Sequence, residues 1–284
     1  MDPRAFVALA AVLGAVVGSF LNVVIHRLPR GESIVSPGSQ CPHCGHAIRP
    51  WHNVPVLAWL WLRGRCRDCR TRIPARYPLV EAATAVLFAL IAERFGPTPM
   101  ALVWMAFGAA LLVAGAIDCD HRIIPDEISL GGLVLGLTLV PAARVFEGVP
   151  ASAAWLHAAT GAALGGGMLW IVGFLHARVC ALAGRRFEHW PGDDEAFPRP
   201  RSLDYWTWFP GMGFGDVKLL AMIGAFLGPV GVVETVVAAS AVGLVFGIGW
   251  AVLRRTLASP FGFGPMLAAG ALLALLAPIG PLAR

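Results

Sequence analysis

Apolar runs approaching twenty residues recur from one end of this chain to the other. About 20 predominantly apolar residues are what a helix needs to cross a bilayer. The runs predict spans near 5–26, 79–94, 99–117, 127–146, 152–177, 217–230, 232–253 and 262–282. Composition agrees: 57% of the 284 residues are hydrophobic, 14% are charged, and the mean hydropathy is +0.70. A soluble domain carries about a quarter charged residues. The expected fold is an all-α polytopic membrane protein with about eight transmembrane helices.

The basic residues orient it. In this arrangement loop 27–78, the turn after 117, loop 178–216 with Lys218, and the turn at 254–261 share one face. That face holds 18 of the 22 Lys and Arg; Arg4, Arg94, Arg144 and Arg284 lie on the other. The positive-inside rule puts the Arg-rich face in the cytoplasm and both termini outside. Residues 5–20 could pass for a signal-peptide core, but Arg27 and Arg30 follow the run and no clear A-x-A site precedes them. A retained span is expected. The net charge of +5 is therefore a topology signal and no pointer to nucleic acid.

The expected divisions are a first span (1–27), a cysteine-rich cytoplasmic domain (28–78), and a membrane core (79–284) with a second cytoplasmic loop at 184–210. That loop carries Trp190, Trp206 and Trp208, for which a headgroup-level position is the plain reading. The glycines within spans, as at Gly165-Gly166-Gly167, suit close helix packing.

Cys41-Pro-His-Cys44 and Cys66-Arg-Asp-Cys69 form two C-x2-C turns separated by 21 residues. Two thiolates held three apart grip one side of a tetrahedral ion, and a second pair completes the site. A structural Zn2+ held by Cys41, Cys44, Cys66 and Cys69 is expected, with Gly45 and Gly64 helping each turn. His43 and His46 lie close enough to compete as ligands. Two disulfides are the alternative, disfavoured on a cytoplasmic face. A site closed by four cysteines has no position for substrate, so its role is stability. Cys119 and Cys180 read as small packing residues.

Two acidic stretches flank spans: Asp118-Cys-Asp120-His-Arg-Ile-Ile-Pro-Asp126, and Gly211-Met-Gly213-Phe-Gly215-Asp216. A carboxylate at hydrocarbon depth costs about 2.5–3.5 kcal/mol even on insertion scales. Asp118 falls in the last turn of its span, and Asp120 lies further out as a reserve candidate. Asp126 after Pro125 reads as a helix cap, with Glu127 in the first turn. Gly213 and Gly215 permit positive φ and a close substrate approach beside Asp216. Lys218, the only lysine, either pairs with an Asp or marks the membrane boundary, and the boundary is the simpler reading. Two carboxylates sharing one proton can work as base and acid on a water and a peptide carbonyl, as in aspartic proteases.

These residues together resemble a known family. The run Gly18-Ser-Phe-Leu-Asn-Val-Val-Ile-His-Arg-Leu-Pro29, the paired C-x2-C turns, Arg76-Tyr-Pro-Leu-Val-Glu81, both acidic stretches through Leu220 and, more loosely, Phe261-Gly-Phe-Gly-Pro265 are similar to the bacterial type IV prepilin peptidases. These are the leader peptidases and N-methyltransferases of type IV pilus and type II secretion systems. The resemblance implies Asp118 and Asp216 as the catalytic pair, supported by Gly213, Gly215, Asp120, Asp126 and Lys218. It implies an inner-membrane enzyme whose active site faces the cytoplasm. Its substrates would be prepilins or pseudopilins, cut after a Gly and then N-methylated with S-adenosylmethionine. No Rossmann-type glycine loop accompanies this, so the methyl-donor site is assigned only to segments 18–29 and 76–81, with Glu81 as a candidate ligand. Loop 184–210 is longer and more acidic than the family pattern; Glu188, Asp193, Asp194 and Glu195 either meet a basic leader or are simply solvated. A coupled transporter would put carboxylates at the midplane of inverted repeats, and no repeat is present. A non-catalytic zinc-bearing scaffold is the third reading.

Overall fold

The computed structural model describes residues 2–185, 200–209, 212–254 and 262–278. Among these the regular elements are helices; the only β pairings are isolated bridges. Glu188, Trp190, Asp193, Asp194, Glu195 and Phe261 lie outside the described residues.

Cα packing divides the chain into residues 1–121 and 122–284. In the first unit, α1 (Pro3–Arg27) begins where the Asp2 carboxylate accepts the Arg4 N–H at 3.0 Å, with Pro3 at the first helical position. It packs along α3 (Arg76–Phe95). Small residues set that approach: a Cβ on Gly14 would lie 2.6 Å from the Thr84 carbonyl oxygen, and one on Gly18 2.7 Å from the Glu81 Cα. The cysteine-rich segment is thus an insertion between two packed helices. It includes one short helix, α2 (Leu57–Trp61). α4 (Pro99–His121) follows, its start capped by Thr98 Oγ1, which accepts the Ala101 N–H at 3.1 Å.

The second unit holds α5 (Asp126–Phe146), α6 (Ala151–Leu182), the short α7 (Asp204–Thr207), α8 (Phe214–Arg254) and α9 (Gly264–Leu276). α8 is broken at Gly228 (φ 74°), just before Pro229. A Cβ on Gly224 would lie 2.9 Å from Val232 Cγ2. Residues eight apart in a straight helix stand about 12 Å apart along the axis, so the chain turns back at Gly228. The two arms, 214–227 and 229–254, correspond to the separate runs at 217–230 and 232–253, with the break slightly earlier than the hydropathy put it. Pro229 supplies no N–H, and the residue before a proline is barred from helical geometry.

α6 crosses the first arm of α8 at glycine contact. Cβ atoms on Gly161 and Gly165 would fall 2.0 Å from Gly224 O and 2.2 Å from Leu220 O. Gly167 faces open space, so close packing explains part of the 165–167 run and not all of it. α1, α4, α5, α6 and α8 are long and apolar enough to cross a membrane; α3 and α9 fall short of that measure, α3 through Glu81 together with the charged residues at its ends. With α8 counted as two arms, eight helical segments match the eight apolar runs. Trp206 stacks on Trp170 and Phe174 (centroids 6.2 and 5.4 Å), and Arg178 lies 3.5 Å from the Phe174 ring. This tryptophan is therefore held in an aromatic cluster on α6.

Candidate active site and cysteine cluster

The two carboxylates singled out by sequence are both buried at helix ends. Asp118, 4% exposed, occupies the last turn of α4, and Asp216, 7% exposed, the first turn of α8. Buried acids survive folding only when bonded or paired, and each engages in interactions within the protein. Asp216 is set by a tight turn in which its N–H donates to the Gly213 carbonyl at 3.1 Å. The N-terminal end of α8 adds the favourable side of the helix dipole.

The flanking glycines work differently from the sequence expectation. Neither Gly213 nor Gly215 has positive φ. A Cβ on Gly213 would meet nothing nearer than Asp216 Oδ2 at 3.9 Å, so its missing side chain leaves space beside that carboxylate. A Cβ on Gly215 would come within 3.2 Å of Ile124 Cβ, so this glycine allows the 122–125 link to pass close to α8.

The remaining acids sort by partner. Asp120, exposed beyond Asp118, is ion-paired with Arg76. Asp126 does not cap α5: Pro125 is the N-cap residue and Asp126 is the first helical one. Its carboxylate pairs with Lys218, so the lysine does more than mark a boundary. The Glu81 carboxylate is occupied by the Val56 N–H at 2.7 Å and by Ser19, which makes it a tie between the cysteine-rich insertion and α3. Sequence reasoning missed Val56 and Asn22. The Asn22 Nδ2 donates to Tyr77 O at 3.0 Å and Gly18 O at 3.3 Å, and a buried amide within an apolar run was the available signal.

The four cysteines converge, and all four sulfurs lie within 4.8 Å of one another. Sulfurs about 2.3 Å from a central zinc would stand about 3.8 Å apart, and Cys41 and Cys69 Sγ are 3.8 Å apart. The four residues can hold a metal ion, and His43 and His46 are outside the group. The two turns are near copies. Cys41 N–H bonds His46 O, and Gly45 N–H bonds Cys41 O; likewise Cys66 N–H bonds Thr71 O, and Arg70 N–H bonds Cys66 O. Gly45 takes φ 69° and its counterpart Arg70 takes φ 60°. Gly64 is not the second turn's glycine; it lies before that turn, where a Cβ would strike Trp59 at 2.8 Å. The thiols are uneven. Hydrogen bonding to the Thr71 side chain and backbone draws Cys69 down to about 6. The His46 backbone pulls Cys44 down, but burial and the neighbouring sulfurs outweigh it and push that thiol up to about 12. Metal ions are bound by thiolates, so an ion entering this cluster would displace the thiol protons.

Comparison with known proteins adds the chemistry. Residues 12–95 match the bacterial peptidase A24 N-terminal domain, and residues 105–248 match the type IV leader peptidase family. The chain is 36% identical to a prepilin leader peptidase/N-methyltransferase of Pseudomonas putida, over 97% of this chain and 92% of that protein. It is 39% identical to one from Burkholderia pseudomallei (93% and 82%) and 37% identical to one from Pseudomonas aeruginosa (96% and 91%). No solved structure matches.

Proposed function

The chain belongs to the type IV leader peptidase family, and we propose from that premise that it removes the leaders of prepilins or pseudopilins and methylates the N-terminus it exposes. The observation that carries this is similarity to prepilin leader peptidase/N-methyltransferases along nearly the whole chain; the range matched by the type IV leader peptidase family, 105–248, spans both buried aspartates. A transporter has no support.

In this reading Asp118 and Asp216 act together. One carboxylate takes a proton from water as the water oxygen bonds to the scissile carbonyl carbon. The other, protonated, donates to the carbonyl oxygen. The tetrahedral intermediate then collapses, the C–N bond breaks, and the amine leaves with a proton. Gly213 leaves space for the extended chain beside Asp216. Asp120, Asp126 and Lys218 support the surrounding turns through their ion pairs.

In this reading the chain crosses the membrane at each of the eight apolar runs. The excess of Arg in the loops after α1 and α6 supports a cytoplasmic active site and termini outside. The protein is a multi-pass inner-membrane enzyme in this account. Residues 28–78 form its metal domain, with Zn2+ held by Cys41, Cys44, Cys66 and Cys69 as a stabilising ion. When bound, S-adenosylmethionine supplies an electrophilic methyl group; the neutral amine forms the N–C bond as the S–C bond breaks, and its proton passes to solvent.

One assay tests both activities. Purified enzyme is incubated with prepilin and S-adenosylmethionine, and the product is weighed. Loss of the leader followed by gain of one methyl is expected; an unchanged prepilin mass overturns the proposal.

A further inference from the structure

Where the three helix ends of the first unit converge there is a cavity of about 270 Å3. Its wall carries His26 in the last turn of α1 and Arg30 just after it, Arg76 and Tyr77 at the start of α3, and Asp120 and His121 at the end of α4. None of these is needed for the metal cluster, and the wall is fixed before any ligand arrives: Asn22 bonds the Tyr77 carbonyl and so ties the first turn of α3 to α1.

The charges are paired. The Arg76 guanidinium sits on the Asp120 carboxylate, with a second guanidinium, Arg30, in the same wall. Side-by-side cation and anion are the complement of an α-amino acid zwitterion: Arg76 and Arg30 suit its carboxylate, and Asp120 suits its ammonium. Tyr77 adds an aromatic ring, a surface that attracts a cation lacking hydrogen-bond donors, such as a sulfonium. Pockets that enclose a whole cofactor run from about 300 to 1,000 Å3. This cavity therefore suits one end of such a molecule, and the exposed Arg30, Asp120 and His121 mark an open mouth for the rest. Among the described residues there is no strand, so the nucleotide crevice of a parallel sheet is not on offer there.

From this the geometry points to the cavity between Arg30, Arg76, Tyr77 and Asp120 as the site that holds the amino-acid end of the methyl donor. The inference rests on the methyl-transfer reading above. It gives that reading a spatial logic, because Asp118 and His121 are only about 4.5 Å apart along the α4 axis. An amine freed at Asp118 emerges beside the cavity.

The test is direct binding of S-adenosylhomocysteine, which has no methyl to give, to the purified full-length enzyme by isothermal titration. The wild type is expected to bind it, methionine to compete, and adenosine to compete less well. The double variant Arg30→Gln/Arg76→Gln is expected to bind at least tenfold more weakly. The thermal unfolding midpoint and metal content of the same preparation report folding; if either is lost, Arg30→Lys/Arg76→Lys replaces it, and weakened binding is again expected. Binding unchanged in a folded variant overturns the assignment. The serine headgroup of an anionic phospholipid carries the same ammonium and carboxylate, so dihexanoyl phosphatidylserine forms a second arm. Its saturable binding, abolished by the double variant while S-adenosylhomocysteine binding persists, would assign the cavity to lipid. The mass of the processed pilin separates the two failures. No added methyl from the wild type sinks the transferase reading; a methyl added with variant binding intact sinks only this site.

Discussion

The Glu81 carboxylate accepts a 2.7 Å hydrogen bond from the backbone N–H of Val56, a residue held at φ 60° and ψ −51°. That conformation closes a three-residue turn in which Leu57 N–H reaches Pro55 O at 2.6 Å. It is rare and strained for a β-branched residue. The carboxylate on α3 thus holds the insertion in a shape it would not keep alone. Glu81→Ala leaves a half-buried N–H without its acceptor and is expected to cost about 1–3 kcal/mol. Val56→Gly removes a steric penalty of about 1–3 kcal/mol against about 0.5–1 kcal/mol of added chain entropy in the unfolded state, so a net stabilisation is expected. Thermal unfolding midpoints in detergent check both signs.

Asp118→Asn and Asp216→Asn keep volume and hydrogen-bonding capacity while removing the ionisable carboxyl group. Each is expected to slow leader removal by about 10²–10⁴-fold, the range that positioned acid–base groups supply. The unfolding midpoint should fall little. Mature pilin in amounts equal to wild type from either variant would rule that residue out of the chemistry.

Replacing any one of Cys41, Cys44, Cys66 or Cys69 by Ser breaks a tetrahedral set. Metal analysis of the purified protein is expected to fall from one Zn per chain to a small fraction of that. Limited proteolysis should then cut between residues 30 and 75 before it cuts elsewhere. Equal zinc in wild type and Cys44→Ser would show that the cluster is not the binding site.

Gly228 and Gly167 predict opposite outcomes for the same substitution. Gly228 has φ 74°, and a Cβ there would lie 1.9 Å from His157 Nε2 on α6. Gly228→Ala is expected to cost at least about 2 kcal/mol, from overpacking and left-handed strain together. Gly167 lies within α6 and faces open space, so Gly167→Ala should gain about 0.5–1 kcal/mol. Expression level and thermal midpoint compare the pair.

The helices were legible because each apolar run is long and the chain has little polar material between most of them. The cysteine cluster was legible because C-x2-C spacing encodes a turn. What escaped depended on geometry that residue type does not fix. Asp126 is a good capping residue by type, yet Pro125 has the non-helical dihedrals and takes that position, freeing the carboxylate for Lys218. Gly213 and Gly215 are there for space and not for φ, a difference only the neighbouring Ile124 and Asp216 reveal. Arg70 adopts φ 60°, where a glycine would be expected by analogy with Gly45, so the second turn looked less regular than it is. Glu81 could be recognised as unusual in an apolar run, but its partner is 25 residues away in a loop.

The reversal at Gly228 leaves the arm 214–227 only about 21 Å long. The hydrocarbon layer is about 30 Å thick, so this arm is about 9 Å short of it. A helix that short is accommodated by local thinning of the bilayer, by snorkelling of its flanking residues or by association with other helices. Asp216 lies in its first turn. If thinning is the route taken, the water–lipid boundary comes down towards that carboxylate, and leader removal in the proposed mechanism should slow in lipids of longer acyl chain; equal rates in short- and long-chain vesicles would discount it.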